Sequence, residues 1–361
     1  MRLRLEPRAA SARSMLYLSP LLAVLCSLLV GGVLFALLGR DPALALYILF
    51  VKPVSTVYGL SELFLKATPL LLCALGLAIG FRANVWNIGA EGQFTMGAIC
   101  GGGLALAFNG QESWWLLPAM LFAGMLGGLL WAAIPALLKT RFNAHEILTS
   151  LMLSYVAIQL LGYLVHGPWR DPAGYNFPQT RMFGDLALMP ILVGGTRLHA
   201  GAVVALLAVP LAAFLLGRTA IGFQIKVVGL AAPAARYAGF RGDGVVWFTL
   251  LLGGALAGLA GIFEAAGPIG QLQPVISPGY GFAAIIVAFL GRLAPFGILL
   301  ASLLMALLYL GGEALQMSLN LPDSVAGVIQ GMLLFFLLAS DVFIGYRLRL
   351  VPGSRKAVQH A

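Results

Sequence analysis

Long apolar runs separated by short polar segments dominate the pattern of this 361-residue chain. Most runs approach or exceed the roughly 20 residues that an α-helix needs to cross a bilayer, whereas outer-membrane barrels show ten-residue alternation. The pattern therefore predicts about ten transmembrane helices, over residues 15–38, 60–81, 94–108, 114–138, 147–165, 200–217, 245–267, 281–290, 296–315 and 325–344. The third and eighth are too short for simple spans, which indicates broken or re-entrant helices.

Composition fits this pattern, since 60% of the residues are hydrophobic and only 10% are charged. An ordinary soluble domain has about 25% charged residues. The 45 glycines suit close helix packing in a membrane, and small residues four apart at 97/101, 124/128 and 254/258 predict packing seams. The sequence thus predicts an all-α polytopic membrane protein with a single transmembrane domain over residues 15–345.

The net charge of +9 reflects topology, because a ten-span arrangement with both ends inside leaves 16 of the 22 Lys and Arg residues on the cytoplasmic side. This predicts cytoplasmic tails at 1–14 and 346–361, an external loop at 166–199 and a cytoplasmic segment at 218–244. The first span is longer than a signal-peptide core, which favours an uncleaved anchor. Nucleic acid is a poor partner, because the basic residues are scattered over short loops.

Several polar residues interrupt the apolar pattern between the second and third spans. Polar side chains at membrane depth are costly unless they contact a partner, a cavity or water. Asn87, Glu91 and Gln93 could therefore line a substrate path, where amide and carboxylate groups can hydrogen-bond a polar solute. Alternatively they cap the third helix, with Asn87 near its start and Glu91 at the positive end of its dipole.

Three further candidates for the path lie later in the chain. Glu264, late in the seventh span, is expected to face a cavity or the outer mouth, or else to hydrogen-bond a neighbouring helix. Tyr280 and Phe282 precede the eighth span and could form an external gate whose rings stack on a base, or an interfacial aromatic belt.

The cytoplasmic segment contains an alanine-rich stretch around Pro233, followed by Gly239. Proline in a first turn and glycine after the end predict a short helix there. A short cytoplasmic helix could dock a partner, although an ordinary connecting loop has a similar composition.

Five motifs in order carry a resemblance to a known family. They are Asn-Ile-Gly-Ala-Glu-Gly-Gln at 87–93, His-Glu-Ile-Leu-Thr-Ser-Leu-Met-Leu at 145–153, Ala-Ala-Arg-Tyr-Ala-Gly at 234–239, Gly-Tyr-Gly-Phe at 279–282 and Gly-Arg-Leu-Ala-Pro at 291–295. From about residue 60 to residue 345 the chain resembles permease subunits of bacterial ABC importers for nucleosides and simple sugars, in the branched-chain amino-acid and ribose permease group. One departure is His145, where the family is expected to have Asn.

This resemblance implies a type II ABC importer-like permease in the bacterial inner membrane. Its implied partners are a second related permease, a cytoplasmic ATP-binding subunit and an extracytoplasmic solute-binding lipoprotein. The segment 222–239 then corresponds to the element that couples the permease to the ATPase. The coupling residues implied are Gly222, Gly229, Ala235, Arg236, Tyr237 and Gly239.

The predicted function is translocation of a small neutral solute, a nucleoside or a simple sugar, without catalysis by this chain. No Gly-x-x-x-x-Gly-Lys-Ser/Thr phosphate loop occurs in the sequence, so ATP and Mg²⁺ are expected on the partner ATPase and no cofactor on this chain. The cysteines lack metal-like spacing, and no nucleophile, base and orienter arrangement is visible. The alternatives are an ion-coupled secondary transporter, with the coupling proton on Glu91 or Glu264, and a structural scaffold.

Overall fold

Helices make up most of the computed structural model, which describes residues 2–7, 13–110, 113–322 and 324–351. Each of the ten predicted segments overlaps a helix. The elements in chain order are β1 (Arg2–Pro7), α1 (Arg13–Leu37), α2 (Pro42–Phe50), α3 (Val57–Arg82), α4 (Ala90–Ala107), α5 (Leu116–Phe142), α6 (Glu146–His166), α7 (Gly201–Arg218), α8 (Ala220–Leu230), α9 (Ala232–Tyr237), α10 (Gly242–Glu264), α11 (Tyr280–Leu290), α12 (Pro295–Leu319), α13 (Ser324–Gly345) and β2 (Tyr346–Val351). Short 3-10 turns occur at Lys52–Val54 and Asp185–Ala187, and a π-helical turn follows α10 at Ala265–Ile269.

Six helices within the described residues are long and apolar enough to cross a membrane, so the chain is a multi-pass membrane protein. The predicted number of ten crossings is therefore only approximate, although every predicted segment overlaps a helix. The six are Val57–Arg82, Leu116–Phe142, Glu146–His166, Gly201–Arg218, Gly242–Ile269 and Pro295–Leu319.

The third predicted segment begins too late, because α4 starts at Ala90 rather than at residue 94. The apolar run begins only after Glu91 and Gln93, but the helical backbone already includes both residues. Their side chains are buried. Gln93 accepts a hydrogen bond from the Asn87 side chain, and Glu91 accepts one from the backbone N–H of Gly281. A helix can therefore include polar residues at membrane depth when their hydrogen bonds are made within the protein.

The chain forms two compact units, residues 1–52 with 311–361 and residues 53–310. In the second unit, α4, α5 and α10 meet along the glycines predicted as packing seams. A Cβ on Gly97 would lie 2.2 Å from the Gly258 carbonyl oxygen, and one on Gly128 would lie 2.2 Å from the Gly254 carbonyl oxygen. Because only hydrogen occupies these positions, the three backbones touch directly. The predicted seams are confirmed.

Adding one methyl group to this seam should destabilise the protein. In Gly258→Ala the new Cβ would lie 2.4 Å from the Gly124 carbonyl oxygen, so the helices must separate. Overpacking of this kind costs on the order of 1–3 kcal/mol of unfolding free energy. The matched control is Gly217→Ala in α7, where a Cβ meets nothing within 4 Å. We expect a lower thermal midpoint in detergent for Gly258→Ala only; equal midpoints for the two variants would contradict the seam.

In the first unit, the two ends of the chain pair as an antiparallel two-stranded sheet, with Arg2 opposite Val351 and Pro7 opposite Tyr346. The sequence analysis predicted tails here. The signal that it missed is the alternation of arginine and leucine at residues 2–5 and 347–350, which is typical of a strand. Residues 1, 8–12 and 352–361 of the predicted tails lie outside the described residues.

Candidate functional site

Asn87 and Gln93 bind each other at the start of α4. The Asn87 amide nitrogen donates to Gln93 Oε1 over 3.0 Å, and Asn87 Oδ1 accepts from the Gly89 backbone N–H over 2.9 Å. Both side chains are buried. Their hydrogen bonds thus hold the turn that leads into the helix, in line with the capping alternative of the sequence analysis.

Glu91 does not cap its own helix but the beginning of α11. Its Oε2 accepts from the backbone N–H of Gly281 over 2.7 Å, a contact between residues 190 positions apart. The Ser277 side chain and the Phe282 backbone also hydrogen-bond this carboxylate. Glu91 also lies in the first turn of α4, at the positive end of that helix dipole, as the sequence analysis expected. One buried carboxylate therefore ties the start of α4 to the N-terminus of α11, where the helix dipole likewise favours negative charge.

Glycine allows this approach, since a Cβ on Gly281 would lie 2.3 Å from the Glu91 backbone nitrogen. The short helices α4 and α11 therefore meet backbone to backbone at their first turns. Such paired helix starts inside a membrane protein are typical of discontinuous helices that surround a solute path.

Two serines of α6 bind the polar segment from the other side. Ser150 Oγ accepts from the Ile88 N–H over 3.1 Å, and Ser154 Oγ accepts from the Gly92 N–H over 3.3 Å. Sequence reasoning missed both. Their spacing of four, on one face of a helix inside an apolar span, was the available signal.

Glu146 and Lys139 form an ion pair beside this region. Glu146 Oε1 also accepts a long contact of 3.5 Å from the Trp86 backbone N–H. The neighbouring His145 is the N-cap residue of α6 and makes no side-chain capping bond. The motif at 145–153 therefore positions the polar turn through Glu146 and Ser150, and Ser154 follows directly after it.

A cavity of about 260 Å³ opens beside the Glu91 tie. Polar groups from Glu91, Thr95 and Ser277 reach its wall, and the rest is mainly apolar. Its lining is Glu91, Thr95, Ile158, Leu161, Pro274, Val275, Ile276, Ser277, Gly279 and Phe282. Of the six residues predicted for the path, Glu91 and Phe282 line this cavity.

The other four predicted path residues do not line the cavity. Asn87 and Gln93 are used in the turn before α4, and Tyr280 is fully buried with its ring 6.3 Å from Phe94 and 5.5 Å from Tyr309. Tyr280 therefore packs in the helix bundle, which corrects its prediction as an external gate. Glu264, the last residue of α10, lies instead within electrostatic reach of Lys66, Arg197 and Glu62.

The predicted external loop is held by an ion pair that the sequence did not indicate. Arg197 binds the buried Glu62 of α3 through two hydrogen bonds, Nε to Oε1 over 3.0 Å and Nη2 to Oε2 over 2.6 Å. This bidentate contact raises the pKa of Arg197 above its usual value. The same loop also hydrogen-bonds the chain after α10, from Met189 to Ala266 and from Phe183 to Gly270.

Acid should destabilise this loop through His199. Burial lowers the pKa of its imidazole to about 4, and its Nδ1 accepts from the Gly201 N–H. An unfolded histidine titrates near 6.5, so the unfolded chain binds the proton more tightly. The free energy of unfolding that neutral His199 contributes is fully present above pH 6.5. It is lost as the pH falls from 6.5 to about 4, by at most about 3 kcal/mol. Thermal midpoints measured across this range should fall less steeply for His199→Asn than for the wild type; equal slopes would contradict this origin.

The predicted coupling segment forms two helices, α8 and α9. The short alanine-rich helix predicted around Pro233 is confirmed as α9, with proline in its first turn and Gly239 beyond its end at φ +79°. Ala235 is buried, whereas Tyr237 is 95% exposed. The helix therefore rests on the protein through alanine and presents Tyr237 outward.

Two glycines seat α8 on neighbouring backbones. A Cβ on Gly229 would lie 2.0 Å from the Arg82 carbonyl oxygen at the end of α3, and one on Gly222 would lie 2.2 Å from the Leu215 carbonyl oxygen of α7. A groove of about 590 Å³ lies next to α9, lined by Arg236, Phe240, Arg241, Gly242, Asp243, Gly244 and Trp247. Of the six predicted coupling residues, Arg236 lines this groove.

Comparison with known proteins gives a consistent result. The family model described as "Branched-chain amino acid transport system / permease component" matches residues 59–338. The chain is 38% identical to a glucose ABC transporter permease protein of Haloferax volcanii, over 98% of this chain and 95% of that one. It is 29% identical to a guanosine ABC transporter permease protein of Bacillus subtilis, over 94% and 96% of the two chains.

A solved structure also resembles the fold. It is an inward-facing conformation of an ABC transporter assigned to the metal-chelate type, with a TM-score of 0.50 and 17% identity. The match covers 90% of this chain and 99% of that one. At this level of identity the likeness concerns the fold alone.

Proposed function

Because this chain belongs to the family of branched-chain amino acid transport system permease components, we propose that it carries a nucleoside or a simple sugar across the cell's inner membrane as the permease of an ATP-driven importer. Relatives along nearly the whole chain are permeases named for glucose, guanosine and nucleosides. The family gives no support to the ion-coupled alternative. Permeases of this group carry no catalytic site, so this chain is not an enzyme.

The cavity beside Glu91 is the observation that carries the solute assignment. The Glu91 carboxylate already accepts hydrogen bonds from three groups at or just before the start of α11, so most of its acceptor positions are occupied within the protein. Thr95 and Ser277 bring hydroxyl groups to the wall, and Phe282 contributes a ring. Hydroxyl-bearing solutes suit these groups. A cavity of about 260 Å³ suits a small solute, since pockets for drug-sized ligands have volumes of about 300–1,000 Å³.

A series of contacts supports transmission from the coupling segment to this cavity. Gly229 of α8 lies on the backbone of Arg82, at the end of α3. The Arg82 Nε donates to the Leu293 carbonyl oxygen over 3.0 Å, and Phe81 stacks on Phe289 of α11 at 5.3 Å. The other end of α11 is tied to Glu91. A displacement of α8 would therefore move α11 and change the cavity.

In this proposal the partners are a second related permease, an ATP-binding subunit docked on α9, and an extracytoplasmic solute-binding lipoprotein. ATP and Mg²⁺ bind to the ATPase subunit. Both termini face the cytoplasm, in line with the bias of lysine and arginine toward that side. The pairing of β1 with β2 supports the part of this proposal that puts both strands on one side of the membrane.

Proteoliposomes test the proposal. The chain is reconstituted with a partner permease, an ATPase subunit and a binding protein from the same organism, and uptake of labelled guanosine and labelled glucose is followed with and without ATP on the cytoplasmic face. We expect ATP-dependent accumulation of one solute, with competition by unlabelled members of its class. Concentrative uptake by this chain alone, under a proton gradient without ATP, would refute the proposal.

A further inference from the structure

A second groove lies away from the cavity, at the end of α3 and beside α8. It has a volume of about 560 Å³, and we name it the basic groove. Its lining is Arg82, Leu216, Gly217, Thr219, Gly222, Phe223, Ile225, Lys226 and Leu230. Two of these nine described residues are cations and none is a carboxylate. A groove with this charge favours an anionic ligand.

One of the two cations is held in a fixed orientation. Arg82 is partly buried, and its Nε donates to the Leu293 carbonyl oxygen over 3.0 Å. This bond uses one of the five N–H donors of the guanidinium and sets the plane of the group. A guanidinium held in this way is suited to phosphate oxygens, which it can bind in a bidentate manner.

The remaining wall of the basic groove is apolar and exposed. Phe223 is 59% exposed and Leu230 is 78% exposed, although both lie on α8 outside the six apolar spans. Arg82 is the last residue of α3, and Arg218, close to the groove, is the last of α7. The groove therefore lies where two apolar spans end, and the ends of such spans meet the headgroup region of a bilayer.

We propose that the basic groove binds the headgroup phosphate of an anionic phospholipid, with Arg82 and Lys226 on the phosphate and the acyl chains along Phe223 and Leu230. Paired cations beside exposed apolar side chains at a span end match the two halves of a phospholipid. An acidic protein segment would use the cations but leave the apolar wall in water. This site is independent of the solute proposed above.

Native mass spectrometry of the full chain in detergent tests the proposal, with phosphatidylglycerol and phosphatidylcholine as probes. We expect phosphatidylglycerol to bind more tightly than phosphatidylcholine. Because each cation near a membrane surface contributes a several-fold preference, R82Q/K226Q should weaken phosphatidylglycerol binding roughly tenfold or more. The variant K226R keeps both charges and leaves the Arg82 guanidinium and its bond to Leu293 in place, so it should retain most of the binding.

The control R141Q/R241Q removes two exposed arginines from the same predicted side of the membrane. Equal weakening in this control would overturn the site, because any surface charge would then serve. Equal binding of phosphatidylglycerol and phosphatidylcholine would also overturn the site. So would the finding that an acidic peptide, added as a third probe, binds while phosphatidylglycerol does not. If R82Q/K226Q fails to fold, K226Q alone keeps the Arg82–Leu293 bond and must still weaken phosphatidylglycerol binding several-fold; unchanged binding would refute the proposal.

Discussion

Replacing Arg236 and Tyr237 together by alanine should abolish ATP-driven uptake while the protein still inserts and folds. Tyr237 is 95% exposed at the end of α9, and Arg236 lines the adjoining groove, so neither side chain is part of the buried core. Tyrosine and arginine are the residues that most often dominate protein interfaces, and losing such a contact costs about 2 kcal/mol or more. That cost corresponds to about a 30-fold weaker docking of the ATPase.

The measurement compares ATP hydrolysis with solute uptake in reconstituted complexes. We expect hydrolysis that solute no longer stimulates, or loss of the ATPase subunit on purification, with the thermal midpoint of the permease unchanged. The matched control is Arg141→Ala with Tyr175→Ala, which removes an exposed arginine and a 93% exposed tyrosine elsewhere. Normal uptake by Arg236→Ala with Tyr237→Ala would remove the coupling role of α9.

Replacing Glu91 by alanine should destabilise the protein and stop transport, whereas glutamine should preserve much of both. Alanine leaves the buried N–H of Gly281 without the acceptor that it has at 2.7 Å, and the bonds to Ser277 and Phe282 are also lost. Each buried polar group left unpaired costs about 1–3 kcal/mol. Glutamine keeps one side-chain oxygen that can accept from Gly281 and so maintains the tie between α4 and α11.

Thermal midpoints and uptake of Glu91→Ala, Glu91→Gln and the exposed-site control Asp185→Ala provide the test. If Glu91 is a structural tie, the thermal midpoint should be highest for the wild type, lower for Glu91→Gln and lowest for Glu91→Ala. The Asp185→Ala control should have the wild-type midpoint. If Glu91 instead carried a coupling proton, Gln and Ala would abolish uptake equally while Gln remained stable. Wild-type stability of Glu91→Ala would contradict the tie itself.

Much of the helical pattern could be predicted because it depends on neighbouring residues. Apolar runs located all six helices of the described residues that are long and apolar enough to cross a membrane. Pro233 and Gly239 marked the ends of α9, and glycines four apart marked the seam of α4, α5 and α10. These signals are short-range, since a helix repeats every 3.6 residues and needs only its own sequence to set its apolar faces. The same reasoning placed the start of α4 too late, because it treated the polar residues Glu91 and Gln93 as lying outside the helix.

The partners of the buried polar groups could not be predicted in this way. Nothing near Glu91 in the sequence indicates Gly281, and nothing near Glu62 indicates Arg197, because 190 and 135 positions separate the members of these two pairs. Such pairs form between the polar groups that helix packing brings within hydrogen-bond distance, because no water is available there as an alternative partner.

By itself, then, the sequence determined that the chain crosses a membrane many times, where its helices lie and which positions allow close packing, because local hydropathy and glycine spacing fix these features. Only the tertiary structure decided which of the six predicted path residues reach a common cavity. Glu91 and Phe282 do so, while Asn87, Gln93 and Tyr280 hold the surrounding turns and helices. The physical reason is that every buried polar group must find a partner, and the nearest partner in space need not be near in sequence.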